Sequence, residues 1–328
     1  MRVGLTYDLR SEYRALGFDE HATAEFDHPE TIDALEAALR KLGYDVQRIG
    51  HCKALVQRLA SGDRWDLVFN ICEGMFGLGR EAQVPALLDA YQIPYTFADA
   101  LMMSVCLHKE ITKTLVAKAG IPTPQSILID RVEQLAQSNL KYPVFAKPVA
   151  QGTSKGISPA SRAASLSELK QACDSLIQQF REPVIIEQYL PGREFTVGIL
   201  GTGNAASVLG TLEIAMREDA DQHVYTYRNK EECESLIDYR LVLATSDPVV
   251  ATAESLALQA YRVLNCCDAG RVDLRCNTVG EPELIEVNPL AGLHPTHSDL
   301  PMLATAVGMP YVELIRRIMD SAKARVTS

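Results

Sequence analysis

The apolar positions of the chain change their period repeatedly. Residues 3–7 form a short apolar run, and a charge-rich loop follows. Pro29 then opens a helical pattern in which Ile32, Leu35, Ala38, Leu39 and Leu42 share one face, and Gly43 stops it. Residues 46–49 read as strand, 53–60 as helix, and 67–71 as a continuous apolar strand of the kind covered on both faces. Residues 80–91 read as helix and 93–97 as strand. This alternation predicts an α/β fold that begins with a doubly wound parallel sheet over residues 1–97.

A long helical stretch over 99–118, broken near His108, connects this unit to the next. Gly120 caps it, and Pro122-Thr-Pro124 marks the clearest boundary in the chain. Strands at 126–129 and 144–147, a helix at 166–180 and a strand at 184–190 predict a central α+β unit. The expected division is 1–97, connecting helices over 98–122, a central unit over 123–190 and a C-terminal unit over 191–328. Within the last, strands are expected at 194–200 and 207–216, a long polar loop at 217–238 and a helix at 248–264. Two strands around a turn at Val279-Gly280 follow, and then one amphipathic helix over about 302–319. This makes the C-terminal unit an antiparallel sheet with helices.

Composition narrows the function without choosing it. The 328 residues are enough for several cores, and the apolar share of 47% is that of an ordinary globular protein. No segment approaches the ~20 uninterrupted apolar residues of a membrane-spanning helix. The opening Met-Arg-Val-Gly-Leu-Thr-Tyr-Asp turns polar too soon for a secretory signal, so a cytoplasmic protein without a membrane partner is expected. The net charge of -10 argues against a nucleic-acid partner, which needs a basic footprint, but leaves room for a nucleotide held by a few local lysines. The eight cysteines form no Cys-x-x-Cys and read as small buried thiols in a reducing compartment.

The strongest chemical signal is Arg271-Val-Asp273-Leu-Arg275 with Leu284-Ile-Glu286-Val-Asn288. Folded as a hairpin about Val279/Gly280, it sets Asp273 opposite Glu286 and Arg271 opposite Asn288. All four then share one face, because residues two apart on a strand do. Val272, Leu274, Ile285 and Val287 form the other face and can be core. Opposed carboxylates repel, so a positive group must hold them. Oxygen ligands of this kind suit magnesium or manganese bound with a nucleotide's phosphates, and a solvated polar face with an ordinary ion pair is the alternative.

Weaker signals lie upstream. Lys147 ends an apolar strand, and Gln151-Gly-Thr-Ser-Lys-Gly156 is either a loop that offers backbone N–H groups to phosphate or a plain turn. Ile185-Ile-Glu187-Gln-Tyr-Leu190-Pro-Gly-Arg-Glu194 could place Glu187 on a purine amino group and Glu194 on ribose hydroxyls, or leave both in solvent. Lys109 could be an ordinary surface lysine.

Taken in order, these segments resemble the D-alanine–D-alanine ligase family of ATP-grasp enzymes. Ile93-Pro-Tyr-Thr, Lys109, Gly120-Ile-Pro-Thr-Pro, Ala146-Lys-Pro, Gly152-Thr-Ser-Lys-Gly, Glu187-Gln-Tyr-Leu, Glu194-Phe-Thr-Val, Arg271-Val-Asp and Glu286-Val-Asn carry the resemblance. It implies a three-domain ATP-grasp fold with ATP gripped between the central lid domain and the C-terminal catalytic domain. It also implies a ligase that joins a carboxylate to an amine through an acyl phosphate, acting as a homodimer on amino acids. By motif, Lys109 and Lys147 would contact ATP phosphates. Glu187 and the Leu190 backbone would read adenine, and Glu194 the ribose. Lys230, after Tyr225 and Tyr227, matches a phosphate-contacting lysine of a mobile loop. Asp273, Glu286 and Asn288 match magnesium ligands. Arg271 and the Gly292 N–H match the groups that stabilise the tetrahedral intermediate. Ser298, beside His297, matches the residue that binds the second substrate's carboxylate, and Thr153 stands for the usual loop serine.

The departures fall on the amino-acid side. The family's N-terminal Ser-x-Glu, whose glutamate holds the first substrate's ammonium, is not evident in Leu5-Thr-Tyr-Asp-Leu-Arg10. Asn70-Ile-Cys-Glu73-Gly74 stands where many members carry His-Gly. Glu73 is therefore expected to take over or assist ammonium binding, with a cap on the Gly74 turn or on the helix after Arg80 as its alternative role. A ligase for other amino acids, a catalytically inactive nucleotide-binding module and a phosphotransferase are the competing functions.

Overall fold

The computed structural model describes residues 1–137, 141–217, 219, 221, 226 and 232–326. Strands β1 (Arg2–Thr6), β2 (Asp45–Gly50) and β3 (Leu67–Asn70) form a parallel sheet in the order β2-β1-β3. Helices α1 (Arg10–Ala15), α2 (Pro29–Lys41), α3 (Cys52–Ala60) and α4 (Gln83–Ala90) surround it. Alternation along each strand divides its two faces. Val3, Leu5 and Phe69 point to the layer of α2, whereas Val68 packs with Leu55 and Leu59 of α3. Gly4 keeps the second face tight, since a Cβ there would lie 2.5 Å from the Ile49 side chain and 3.1 Å from Trp65.

Three expectations are corrected in this unit. The charge-rich loop contains α1, whose Tyr13 packs on Phe26 with ring centroids 4.4 Å apart. Residues 80–91 start as a 3-10 turn (Arg80–Ala82) before α4. Residues 93–97 pair only at Val68–Tyr95 and do not form a ladder strand. Pro94 has no N–H to give, its carbonyl accepts from Val68, and Phe97 turns away at φ 70°.

The predicted long connecting helix breaks at His108 into α5 (Ala100–Leu107) and α6 (Lys109–Lys118), with the His108 ring accepting from Ile111 N. Strands β4 (Ser126–Ile129), β5 (Val144–Pro148), β6 (Arg162–Ala163) and β7 (Val184–Gln188) form a sheet in the order β4-β7-β5-β6. Its pairs are antiparallel. Helix α7 (Leu166–Phe180) covers one face, where Leu169, Cys173 and Leu176 meet Val144, Ala146, Val184 and Ile186. The alternating residues Phe145, Lys147 and Glu187 project from the other face.

The third sheet runs β10-β9-β8-β11-β12. Its strands are β8 (Glu194–Leu200), β9 (Ser207–Met216), β10 (Ile237–Val242), β11 (Ala269–Cys276) and β12 (Pro282–Asn288). The short helix α8 (Cys233–Leu236) precedes β10, and helix α9 (Pro248–Val263) covers one face with Ala253, Ala257, Ala260 and Tyr261. The loop expected over 217–238 therefore ends earlier. Ile237 pairs with Met216 and Asp238 with Ala215, and Arg217 Nε donates to Asp238 at 2.7 Å. Tyr225, Tyr227 and Lys230 lie outside the described residues.

The predicted last helix is two helices, α10 (Asp299–Ala306) and α11 (Tyr311–Val326). Gly308, at φ 82°, and Pro310 interrupt it. Helix α11 returns to the first sheet, where Leu314, Ile315 and Ile318 join Leu35, Leu39 and Val3 in one core. No helix among the described residues is long and apolar enough to cross a membrane.

Candidate active site

Two adjoining cavities occupy the space between these units. The first is lined by the free face of the central sheet and the charged face of the third. The second is lined by the loops of the first sheet and the segment from Glu286 to Asp299. Lys109, Gln151, Gly152, Thr153, Arg271, Glu286 and Asp299 line both.

In the first cavity the central sheet supplies Glu187, whose carboxylate lies 2.9 Å from Lys147 Nζ and 2.7 Å from Lys113 Nζ. All three side chains are almost wholly buried. Burial opposes the Glu187 charge, but the two ammonium groups outweigh it and bring the carboxyl down to about 2. Lys147 is raised, because Glu187 and Glu286 outweigh its own burial. Burial wins at Lys113, which is lowered. Leu190 is buried on the cavity wall, and Glu194 faces it 3.2 Å from Arg275. Burial still leaves the Glu194 carboxyl above its ordinary range despite Arg275.

The hairpin register is the one its residues predict: Arg271 opposes Asn288, and Asp273 opposes Glu286. Arg271 Nε and Nη2 each reach Asp273 at 3.0 Å, and Nη1 donates to Asp299. Asp273 also accepts from Thr196 at 2.8 Å and from Asn288 Nδ2 at 3.1 Å. Lys109 Nζ donates to Gln151 O at 2.6 Å and lies 3.6 Å from Glu286. One expectation fails here. A bulge after Asp273 pairs Leu274 with Leu284, so Leu284 enters the core and Ile285 lines the first cavity beside Glu286.

Asp273, Glu286 and Asn288 are the oxygen donors that a hard divalent cation takes. Among the described residues no three or more His, Cys, Asp or Glu side chains converge as a closed metal cage. Two carboxylates and an amide fit a cation whose shell a nucleotide's phosphates complete.

The second cavity holds residues the sequence reading passed over. Glu25 receives two bonds from Arg80 Nη2 at 2.8 and 2.9 Å and one from Gly152 N at 2.5 Å, and it lies 3.5 Å from Lys155. These bonds tie the first unit to the loop of the central one. Thr153 and Ser154 follow in the left-handed region at φ 48° and 52°, a conformation non-glycine residues rarely adopt. Glu25 lies in the charge-rich loop before Pro29, Lys113 in a helix and Asp299 after Ser298, and none of the three carries a motif of its own. Asp8 accepts from Gly74 N at 2.9 Å, so Glu73 does not hold that turn. Its carboxyl lines the cavity instead, facing that of Glu81. Gly292 also lines it, and a Cβ there would lie 2.7 Å from Ser298 Oγ. Ser298 accepts from His294 N at 3.0 Å, and the His297 and His294 rings meet edge-on at 6.1 Å.

The family model described as "D-ala D-ala ligase C-terminus" matches residues 115–320. An uncharacterized protein of Sinorhizobium fredii is 30% identical over 89% of this chain and 87% of its own length. A D-alanine–D-alanine ligase of Bordetella petrii is 31% identical over 89% of this chain and 86% of its own. The solved structure of D-alanine–D-alanine ligase from Bacillus anthracis complexed with ATP superposes with a TM-score of 0.75 at 22% identity. That superposition covers 99% of this chain and 97% of the other, so the ATP-grasp fold extends throughout.

Proposed function

The chain belongs to the D-alanine–D-alanine ligase family, and from that premise we propose how its two cavities form an amide bond. The protein is an ATP-dependent acid–amino-acid ligase. The observation that carries the reading is the shared wall: Lys109, Thr153, Arg271 and Glu286 face both cavities. A γ-phosphate in the first cavity and a carboxylate in the second would meet there.

ATP occupies the first cavity, with Glu187 and the Leu190 backbone toward adenine, Glu194 toward ribose, and Lys147 and Lys109 toward phosphate. Lys230 joins them by motif. The amino-acid carboxylate attacks the γ-phosphorus and ADP leaves, giving an acyl phosphate. Positioning and charge neutralisation do most of the work in such a transfer. Asp273, Glu286 and Asn288 would hold magnesium, or manganese in its place, which neutralises phosphate charge when bound. The second substrate's amine then attacks the acyl carbon, and phosphate leaves as the amide forms. Arg271 and the Gly292 N–H stabilise the oxyanion, and Thr153 stands at the reacting groups in place of the usual loop serine. Ser298 and His297 face the second substrate's carboxylate, and Glu73 takes the first substrate's ammonium. Arg271 is already aligned by Asp273 and Asp299, so the charge needs no search at the moment of reaction.

The units 1–97, 98–122, 123–190 and 191–328 act as nucleotide and substrate walls around this site, in a homodimer working in the cytoplasm. The test is phosphate release from ATP with magnesium across a panel of D- and L-amino acids, with mass detection of products. Release that depends on an amine and yields an amide supports the ligase; a stable phosphorylated product without an amine overturns it.

A further inference from the structure

Glu73, Glu81 and Asp27 all line the second cavity. Glu81 is nine-tenths buried, and its carboxyl faces that of Glu73. Among the described residues none of the three has a basic side chain within 4 Å. Glu25, which also lines the cavity, differs in kind, because Arg80 and Lys155 consume its charge. An α-ammonium would neutralise one carboxylate and leave two. Isolated buried carboxylates are expensive, so the cavity either keeps them protonated or receives more positive charge.

Resting on the ligase reading, we propose that this cavity selects an amino-acid substrate carrying a second ammonium group, a diamino acid, whose two cations are shared among Glu73, Glu81 and Asp27. The groups facing these carboxyls are Glu25 and Arg80 for both glutamates, Lys109 for Glu81, and Asp8, Arg10, Cys72 and Tyr311 for Asp27, with Asp27 itself facing Glu73. Burial raises all three carboxyls, those of Glu81 and Asp27 to about 7 and that of Glu73 well above its ordinary range. A dication therefore displaces protons as it enters, and a neutral side chain displaces fewer.

The experiment compares ornithine with norvaline, which has the same carbon skeleton without the terminal amine. Both enantiomers are assayed for ADP release with ATP and magnesium. Ornithine should be favoured in kcat/KM by ~10-fold or more, the worth of a charge-assisted contact in a dry site. The Glu81→Gln variant should lose most of that preference while its KM for ATP stays unchanged. Binding calorimetry in two buffers of different ionisation enthalpy should show proton release with ornithine exceeding that with norvaline. If Glu81→Gln lacks a nucleotide-induced rise in Tm, it is misfolded and Glu73→Gln takes its place. Equal turnover of both amino acids, with equal proton release, overturns the diamino-acid assignment but leaves the ligase intact. ADP release that no amino acid stimulates overturns the ligase reading and this one with it.

Discussion

Lys147 faces two anions: it is paired with Glu187 at 2.9 Å and is the strand-end lysine assigned to phosphate. Lys147→Ala should weaken ATP binding by ~10- to 100-fold, the range for losing a charge-assisted hydrogen bond. Calorimetric nucleotide affinity checks this, and an unchanged Kd would confine Lys147 to holding Glu187. Glu286→Gln should lower kcat by ~100-fold or more with the fold intact, since the loss falls on transition-state charge neutralisation. Near-normal turnover at limiting magnesium would remove Glu286 from the metal set. Two acids give opposite pH dependences. The Glu187 carboxyl lies below its ordinary 4.5, so its contribution to stability is present above that value and is lost as the pH falls toward about 2. The Glu81 carboxyl lies above 4.5, so its contribution is full below that value and is lost as the pH rises through about 7. Glu81→Gln should flatten the fall of Tm across that upper window, and an unchanged profile would show Glu81 ionising as in an open chain. Glu187 could be found from its place in an apolar strand beside Gln-Tyr-Leu. Lys113 could not, because a lysine in an amphipathic helix looks the same whether its tip reaches water or a buried carboxylate.

The hairpin of β11 and β12 shows how far a strand pattern is legible. Alternation and a fold about Val279/Gly280 gave Asp273 opposite Glu286, and that pairing holds beyond the bulge although the pairs beside the turn are shifted by one residue. They did not give the bulge, since one extra residue leaves no composition signal; it only inverts which of Leu284 and Ile285 is inside. The two neighbours should therefore answer differently to truncation. Leu284→Ala should destabilise by ~2–5 kcal/mol, as a fully buried leucine does, with little change in the KM for ATP. Ile285→Ala should cost less stability and raise the KM for ATP, because its side chain lines the cavity to which ATP is assigned. Denaturant unfolding and nucleotide kinetics on the pair decide it, and the reverse ranking would mean that the bulge is absent in solution. The connecting helices were legible down to their break at His108, whereas Gly308 and Pro310 were overridden by an apolar pattern that continues in phase across them.

At the scale of the molecule, the three sheets and their order followed from the sequence because each has its own period and punctuation. What did not follow was which helix covers which sheet, since an apolar helix face does not name its partner. Helix α11 packs with α2 on the first sheet, and Arg325 near its end bonds Asp268 and the Tyr95 and Phe97 carbonyls. Asp268 is fully buried and also accepts from Phe97 N. Arg325→Ala should lower stability by ~3 kcal/mol, the cost of leaving a buried charge without its partner, while the KM for ATP changes little. Thermal unfolding and steady-state kinetics read both quantities, and an unaltered Tm would mean that the other donors suffice. The return of α11 also has a consequence for synthesis. The first 97 residues emerge from the ribosome with Val3, Leu5, Leu35 and Leu39 able to find one another, but their outer cover arrives only with Leu314, Ile315 and Ile318. For most of translation that apolar surface has no native partner, the condition in which exposed apolar surface favours aggregation.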